Sequence, residues 1–147
     1  MKYIIREATN KDTEFICRIN KYAMGYGYPK EKTQYQLEKV LRDDNQKNFV
    51  AEIEHLVVGY VHATTYDLLY ANSMVNIMGL AVLEQYRHNG IATKLMDPVD
   101  EWAKNIGADT IRLTSGKERE EAHKFYDIVG FERKKEQINF AKKLRLE

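Results

Sequence analysis

The chain has 147 residues, 44% of them apolar and 31% charged, which suits one domain with a sizeable core. Lys plus Arg number 23 against 22 Asp plus Glu, a net charge of +1, so no footprint for nucleic acid or a membrane surface is expected. Cys17 is the single cysteine, which excludes an internal disulfide. With no secretory start and no apolar run near ~18 residues, the expectation is a single cytoplasmic domain over residues 1–147.

Residues 3–7 alternate as a first strand. Thr9 or Asn10 caps a helix to about Met24, with Phe15, Ile16, Ile19 and Ala23 on one face. Gly25-Tyr26-Gly27-Tyr28-Pro29 breaks it, and a second helix is expected around Thr33–Arg42, with Leu37, Val40 and Leu41 inward. Asp43-Asp44-Asn45 is a turn. Residues 48–53 and 56–66 read as a hairpin rich in Val, Ile, Tyr and Thr. Met74–Leu83 is a strand apolar on both sides, as in a covered sheet. Gly90 to Ile106 reads as an amphipathic helix ended by Gly107. Pro98 removes one of its ladder hydrogen bonds and predicts a kink or local break. Thr110–Thr114 is a short strand and Glu118–Val129 another amphipathic helix. Phe131–Arg133 and Gln137–Lys143 are expected to close the chain as two strands. The class is mixed α/β, with a strand–helix–strand unit at its centre that should be right-handed.

The informative segment is Leu80-Ala81-Val82-Leu83-Glu84-Gln85-Tyr86-Arg87-His88-Asn89-Gly90-Ile91-Ala92-Thr93. A strand gives way to a polar loop and then to a helix that begins at a glycine. Free N–H groups and the positive dipole end of such a helix suit a bound phosphate. Gly90 admits close backbone approach, Ala92 is small, and Arg87 and His88 add positive character. On residue chemistry alone, an ordinary strand-to-helix connection competes equally with this reading.

Arg87-His88-Asn89-Gly90-Ile91-Ala92 resembles the Gln/Arg-x-x-Gly-x-Gly/Ala signature of the GCN5-related N-acetyltransferase (GNAT) superfamily. A second match lies downstream, at Ala122-His123-Lys124-Phe125-Tyr126-Asp127-Ile128-Val129-Gly130-Phe131. The two motifs and their spacing cover about residues 74–133. The resemblance implies a mostly antiparallel mixed sheet with splayed middle strands, flanked by about four helices. It also implies an N-acetyltransferase that uses acetyl-CoA, without a metal, to acetylate a small-molecule or peptide amine. Backbone amides of Asn89 through Thr93 would hold the CoA pyrophosphate, with Arg87 and His88 at the mouth. Pantetheine would lie between the strand at Gly79–Val82 and that at 110–114, touching Ser115. Amides near Leu80, Ala81 and Val82 would polarise the thioester carbonyl. Homodimers are implied as well, with the strand around Ile138–Lys143 exchanging or pairing.

The chemistry needs a neutral amine, a polarised carbonyl and an acid near sulfur. Tyr126 fits the acid, as in the resembling family; a core tyrosine is its structural alternative. The base is open. The central strand offers Asn76 and Met78 where many relatives carry a carboxylate, leaving Glu84, His62, His123 or a backbone-held water. Gly79 suits a bulge or close approach, or packing under a large neighbour. Ser115 has an N-cap role as its competing use. Lys94, Lys117 and Arg119 read as solvated charge or as contacts to the far end of CoA, and Cys17 as a small buried residue. Tyr26, Tyr28, Tyr66 and Tyr70 are candidates for an aromatic floor to the acceptor site. No acidic cluster marks a polyamine or aminoglycoside pocket. Two rivals remain: a non-catalytic acyl-CoA-binding regulator, and another nucleotide-binding α/β protein. The second lacks both Gly-x-Gly-x-x-Gly and Gly-x-x-x-x-Gly-Lys-Ser/Thr.

Overall fold

The structure, a computed structural model, describes residues 1–145. Strand β1 (Ile4–Glu7) leads through a 3-10 turn into α1 (Thr13–Ile19). Thr9 and Asp12 cap this start reciprocally: Lys11 N donates to Thr9 Oγ1, and Thr9 N donates to Asp12 Oδ2 at 2.8 Å. The helix then widens into a π-helical turn, Asn20–Met24, that stops at left-handed Gly25, φ 80°. Helix α2 (Lys30–Leu41) begins directly after Pro29, earlier than its periodicity predicts, because Thr33 folds back on the Pro29 carbonyl through both N–H and hydroxyl.

Strands β2 (Gln46–Ile53), β3 (Leu56–Tyr66) and β4 (Met74–Val82) continue the sheet, followed by α3 (Ile91–Asn105), β5 (Thr110–Arg112) and α4 (Glu120–Ile128). The sheet runs β1-β2-β3-β4-β5, antiparallel except for the parallel β4–β5 pair. Its core is the apolar alternation of β2–β4, with Val50, Val61, Ala63 and Val75 fully buried. The Gly59 position lies against Leu95 of α3, whereas Tyr60, one residue on, meets Asn20 and Met24. Helix α3 therefore covers one face of the sheet and the α1 segment the other.

Two irregularities shape the sheet. His62 pairs with Gly79 but Ala63 pairs with Ile77, which leaves Met78 as an extra residue in β4. The expected bulge is thus present at Gly79, and the expected large neighbour is too: a Cβ there would stand 3.5 Å from Tyr60 Oη. In addition, β5 pairs with β4 only from Met74 to Asn76, so the middle strands part beyond that point.

Two expectations are corrected. The local break expected at Pro98 is absent: α3 is helical from Ile91 to Asn105, and buried Ile91, Leu95, Met96, Val99 and Ala103 hold it to the sheet on either side of the missing bond. The closing strands Phe131–Arg133 and Gln137–Lys143 do not form. Residues 132–145 carry no ladder, and Ile138 and Phe140 are exposed, so the alternation found no neighbouring strand to pair with. Met1–Leu113 is one compact unit and the remainder, from Thr114 on, another. Among the described residues, no helix is long and apolar enough to cross a membrane.

Candidate active site

The end of β4 presents backbone polar groups on its free side. Leu83 N donates to Val58 O at 2.8 Å, which fixes the alternation: Gly79, Ala81 and Leu83 turn their amides toward β3, and Leu80 and Val82 turn theirs away. On that far side, among the described residues, the sheet offers no partner beyond Asn76. Arg87 Nε donates to the Val82 carbonyl at 3.0 Å, so this side chain, expected at the mouth, also fastens the turn to the strand.

From β4 the chain makes a 3-10 turn, Glu84–Tyr86, and enters α3 through two left-handed residues, His88 (φ 66°) and Gly90 (φ 77°). Asn89 stabilises the turn by donating from Nδ2 to Tyr86 O and Arg87 O, both at 3.1 Å. No side chain caps α3, and its first intrahelical bond is Lys94 N to Gly90 O. The amides of Ile91, Ala92 and Thr93 are therefore left for another acceptor. Ile91 is buried and anchors the turn, while Arg87, His88, Asn89, Gly90 and Thr93 are exposed. Among the described residues, and apart from its immediate chain neighbours, a Cβ built on Gly90 would meet just Tyr3 Oη, at 3.7 Å. Uncapped amides, the positive end of the helix dipole and left-handed backbone are the features that suit a bound anion.

In the segment from Thr114 on, Ser115 does not cap α4, whose N-cap is Arg119. The Ser115 Oγ is instead buried, with no hydrogen-bond partner among the described residues. Tyr126 is half-buried, edge-to-face with Phe125 and Phe131 at 5.5 and 5.6 Å. Burial pushes its phenol up, against a smaller opposing effect of Arg119. His123 is half-buried three residues earlier. Lys117 pairs with Glu136, and Lys94 with Asp97, all exposed.

A cleft of about 620 Å³ opens on the α1 side of the sheet, lined by Asn20, Met24, Tyr26, Tyr28, Tyr60 and Met78 with Gly25 and Gly27. Tyr60 donates to Asn20 Oδ1, and burial raises its phenol to about 12. Of the four tyrosines expected in an aromatic floor, Tyr26 and Tyr28 both line this cleft. Tyr66 and Tyr70 do not join them: Tyr66 lies under the Arg112 guanidinium at 4.4 Å, and Tyr70 is exposed. Tyr60, Asn20 and Met78 were not among the expected wall residues. Alternation of Tyr60 against buried Val61 was the available signal for the first; the other two depend on the π-turn and the bulge.

The family model described as "Acetyltransferase (GNAT) family" matches residues 7–131. An N-alpha-acetyltransferase of Sulfurisphaera tokodaii is 30% identical over 138 residues, 88% of this chain and 80% of the relative. The solved structure of a transcriptional regulator from Bacillus halodurans superposes with a TM-score of 0.87 at 25% identity, covering 96% of this chain and 100% of that one. An aminoglycoside N-acetyltransferase, solved in complex with the bisubstrate analogue CoA-S-monomethyl-acetylneamine, shares the fold with a TM-score of 0.85 at 22% identity, covering 97% and 99%.

Proposed function

We propose, from the premise that this chain belongs to the GNAT family of acyl-CoA-dependent N-acetyltransferases, that it moves an acetyl group from acetyl-CoA to a primary amine by direct attack. The observation that carries this reading is the uncapped start of α3, with left-handed His88 and Gly90, beside the unpaired amides of Leu80 and Val82. The pyrophosphate would take the amides of residues 89–93, with Arg87 and His88 adjoining. The thioester carbonyl would take an amide at Leu80–Val82, where developing negative charge is stabilised. The buried, unpartnered Ser115 Oγ suits a pantetheine amide.

Attack by a neutral amine forms the C–N bond and expels thiolate. A thiol pKa near ~8.5 makes that a tolerable leaving group, so an acid contributes about 10²–10⁴-fold. Tyr126 is the acid in this reading, supported by a phenol kept protonated by burial. The cleft supports an acceptor with an aromatic or apolar body: among the described residues, three tyrosines and two methionines line it, and no carboxylate does. That favours a single amine, such as the α-amine implied by the name of the Sulfurisphaera relative, over a polycation.

Calorimetry with acetyl-CoA tests the reading. Binding by the wild type and none by Gly90→Glu, whose side chain and charge would oppose the pyrophosphate, is expected. A folded wild type that does not bind acetyl-CoA would sink it. The regulator of Bacillus halodurans keeps a second reading in view, an acyl-CoA-binding module without turnover. Release of free thiol in the presence of an amine separates the two.

A further inference from the structure

We propose that His62 Nδ1 accepts the proton released by the attacking amine, and that Gln46 and Asp43 hold the imidazole in the tautomer this requires. The inference rests on the acetyltransferase reading above and supplies its base.

The tautomer follows from donor and acceptor chemistry. Gln46 Nε2 donates to Asp43 Oδ2 at 2.9 Å, and a carboxylate can only accept. The Gln46 amide is thereby oriented, and its oxygen is the atom that meets His62 Nε2 at 2.6 Å. An amide oxygen also only accepts, so Nε2 carries the proton and Nδ1 keeps the lone pair. Asp43 is itself fixed by Asn45 N at 2.9 Å. The chain Asp43–Gln46–His62 has the logic of an orienting group behind a base.

His62 shares the sheet face of Tyr60, between Asn48 on β2 and Gly79 on β4. Nδ1 has no protein partner among the described residues, and it is not sealed off. Asn48, the register partner of His62 on β2, has a buried Nδ2 with no acceptor. A donor and a lone pair one strand apart on one face are groups that one bridging water would serve together. On the other side His62 is paired with Gly79, which has no side chain, and Leu80 follows with its free amide. Tyr60, two residues back on the same face, lines the cleft.

The ionisable groups near this face are few. Asp43 reaches His62 only through Gln46, and the Tyr60 phenol stays un-ionised. Cys17 on α1 is half-buried. Glu14, Arg18 and Lys30, on the helices over this face, are exposed. Burial alone lowers the His62 pKa, so the ring is neutral near pH 7. In the reaction the N–C bond forms, the C–S bond breaks, and the amine proton passes to Nδ1 directly or through water. The imidazolium then returns it to solvent.

A first measurement needs no acceptor. Long-range proton–nitrogen spectra of labelled protein, with His62→Gln for assignment, should show Nε2–H and a midpoint below the ordinary 6.5. Gln46→Leu should mix the tautomers. Thiol release from acetyl-CoA is then followed with tyramine and with a free-α-amine tripeptide as probes. His62→Gln and His62→Asn should lose about 10²–10⁴-fold in kcat/KM, together with the acidic limb, at unchanged acetyl-CoA affinity. An Nδ1–H tautomer, or turnover and acidic limb unaltered in both variants, overturns the proposal; the tautomer decides alone if neither probe is turned over. Failure of the wild type to bind acetyl-CoA instead overturns the underlying reading.

Discussion

Gly59 and Val82 face each other across the β3–β4 ladder so closely that a Cβ on Gly59 would stand 3.0 Å from Val82 Cγ2 and 3.0 Å from the Ala81 carbonyl oxygen. The end of β4 is thus seated on a glycine, and its free amides are positioned by that contact. Gly59→Ala is expected to destabilise by roughly 1–3 kcal/mol, because backbone must move to admit the methyl group. Gly79→Ala meets Tyr60 at ordinary contact distance and should change stability by less than about 1 kcal/mol. Urea denaturation of both variants tests the contrast; equal losses would show that the close approach at Gly59 is not what seats β4.

Pro98 leaves the Lys94 carbonyl without its helical donor. Since α3 is continuous there, alanine can restore the bond with little rearrangement. Pro98→Ala should raise stability by about 1–2 kcal/mol, after the loss of proline's restraint on the unfolded chain. A melting temperature higher by several degrees is the expected reading. An unchanged or lower value would mean that this carbonyl is already satisfied.

Asp12 joins the first helix to β1. Burial pushes its carboxyl up, but Arg6, bonded at 2.8 and 2.9 Å, and the Thr9 amide reverse this and hold it below the usual value of 3.8. A depressed carboxyl contributes stability above its unfolded pKa, and that contribution is lost as pH falls through the folded one. Asp12→Ala should therefore cost roughly 2–3 kcal/mol at pH 7, from the cap and the broken pair together. The gap to the wild type should narrow below pH 4. A pH-independent gap would assign the loss to packing.

Tyr126→Phe keeps the ring that packs on Phe125 and Phe131 and removes only the hydroxyl. Stability and acetyl-CoA affinity should hold while kcat falls about 10²-fold or more. Because the Tyr126 phenol is pushed above its ordinary 10.0, the wild type should show no limb from this group below that pH. A variant with undiminished kcat would return Tyr126 to a packing role.

The strand–turn–helix at Arg87–Ala92 was legible as geometry because its physics is local, whereas its reading as a phosphate site needed the family resemblance. A polar loop, a glycine and an amphipathic helix determine an uncapped N-terminus within a dozen residues, and the apolar periodicity of α1, α3 and α4 did the same for the helices. The sequence even marked Gly79 as a place where the strand would be irregular. Beyond the β2–β3 hairpin, what it could not supply was pairing. The alternation at Gln137–Lys143 looks like a strand but forms none, because a strand exists only where another chain segment accepts its hydrogen bonds. The tertiary structure alone decided that β5 leaves β4 after Asn76, that Met78 is extruded opposite His62–Ala63, and that Tyr60 rather than Tyr66 joins Tyr26 and Tyr28. It also decided that Gln46, sixteen residues before His62, turns its amide oxygen to the imidazole. Each of these is a register between strands or a side-chain contact across them, fixed by which faces are buried together and invisible to any window along the chain.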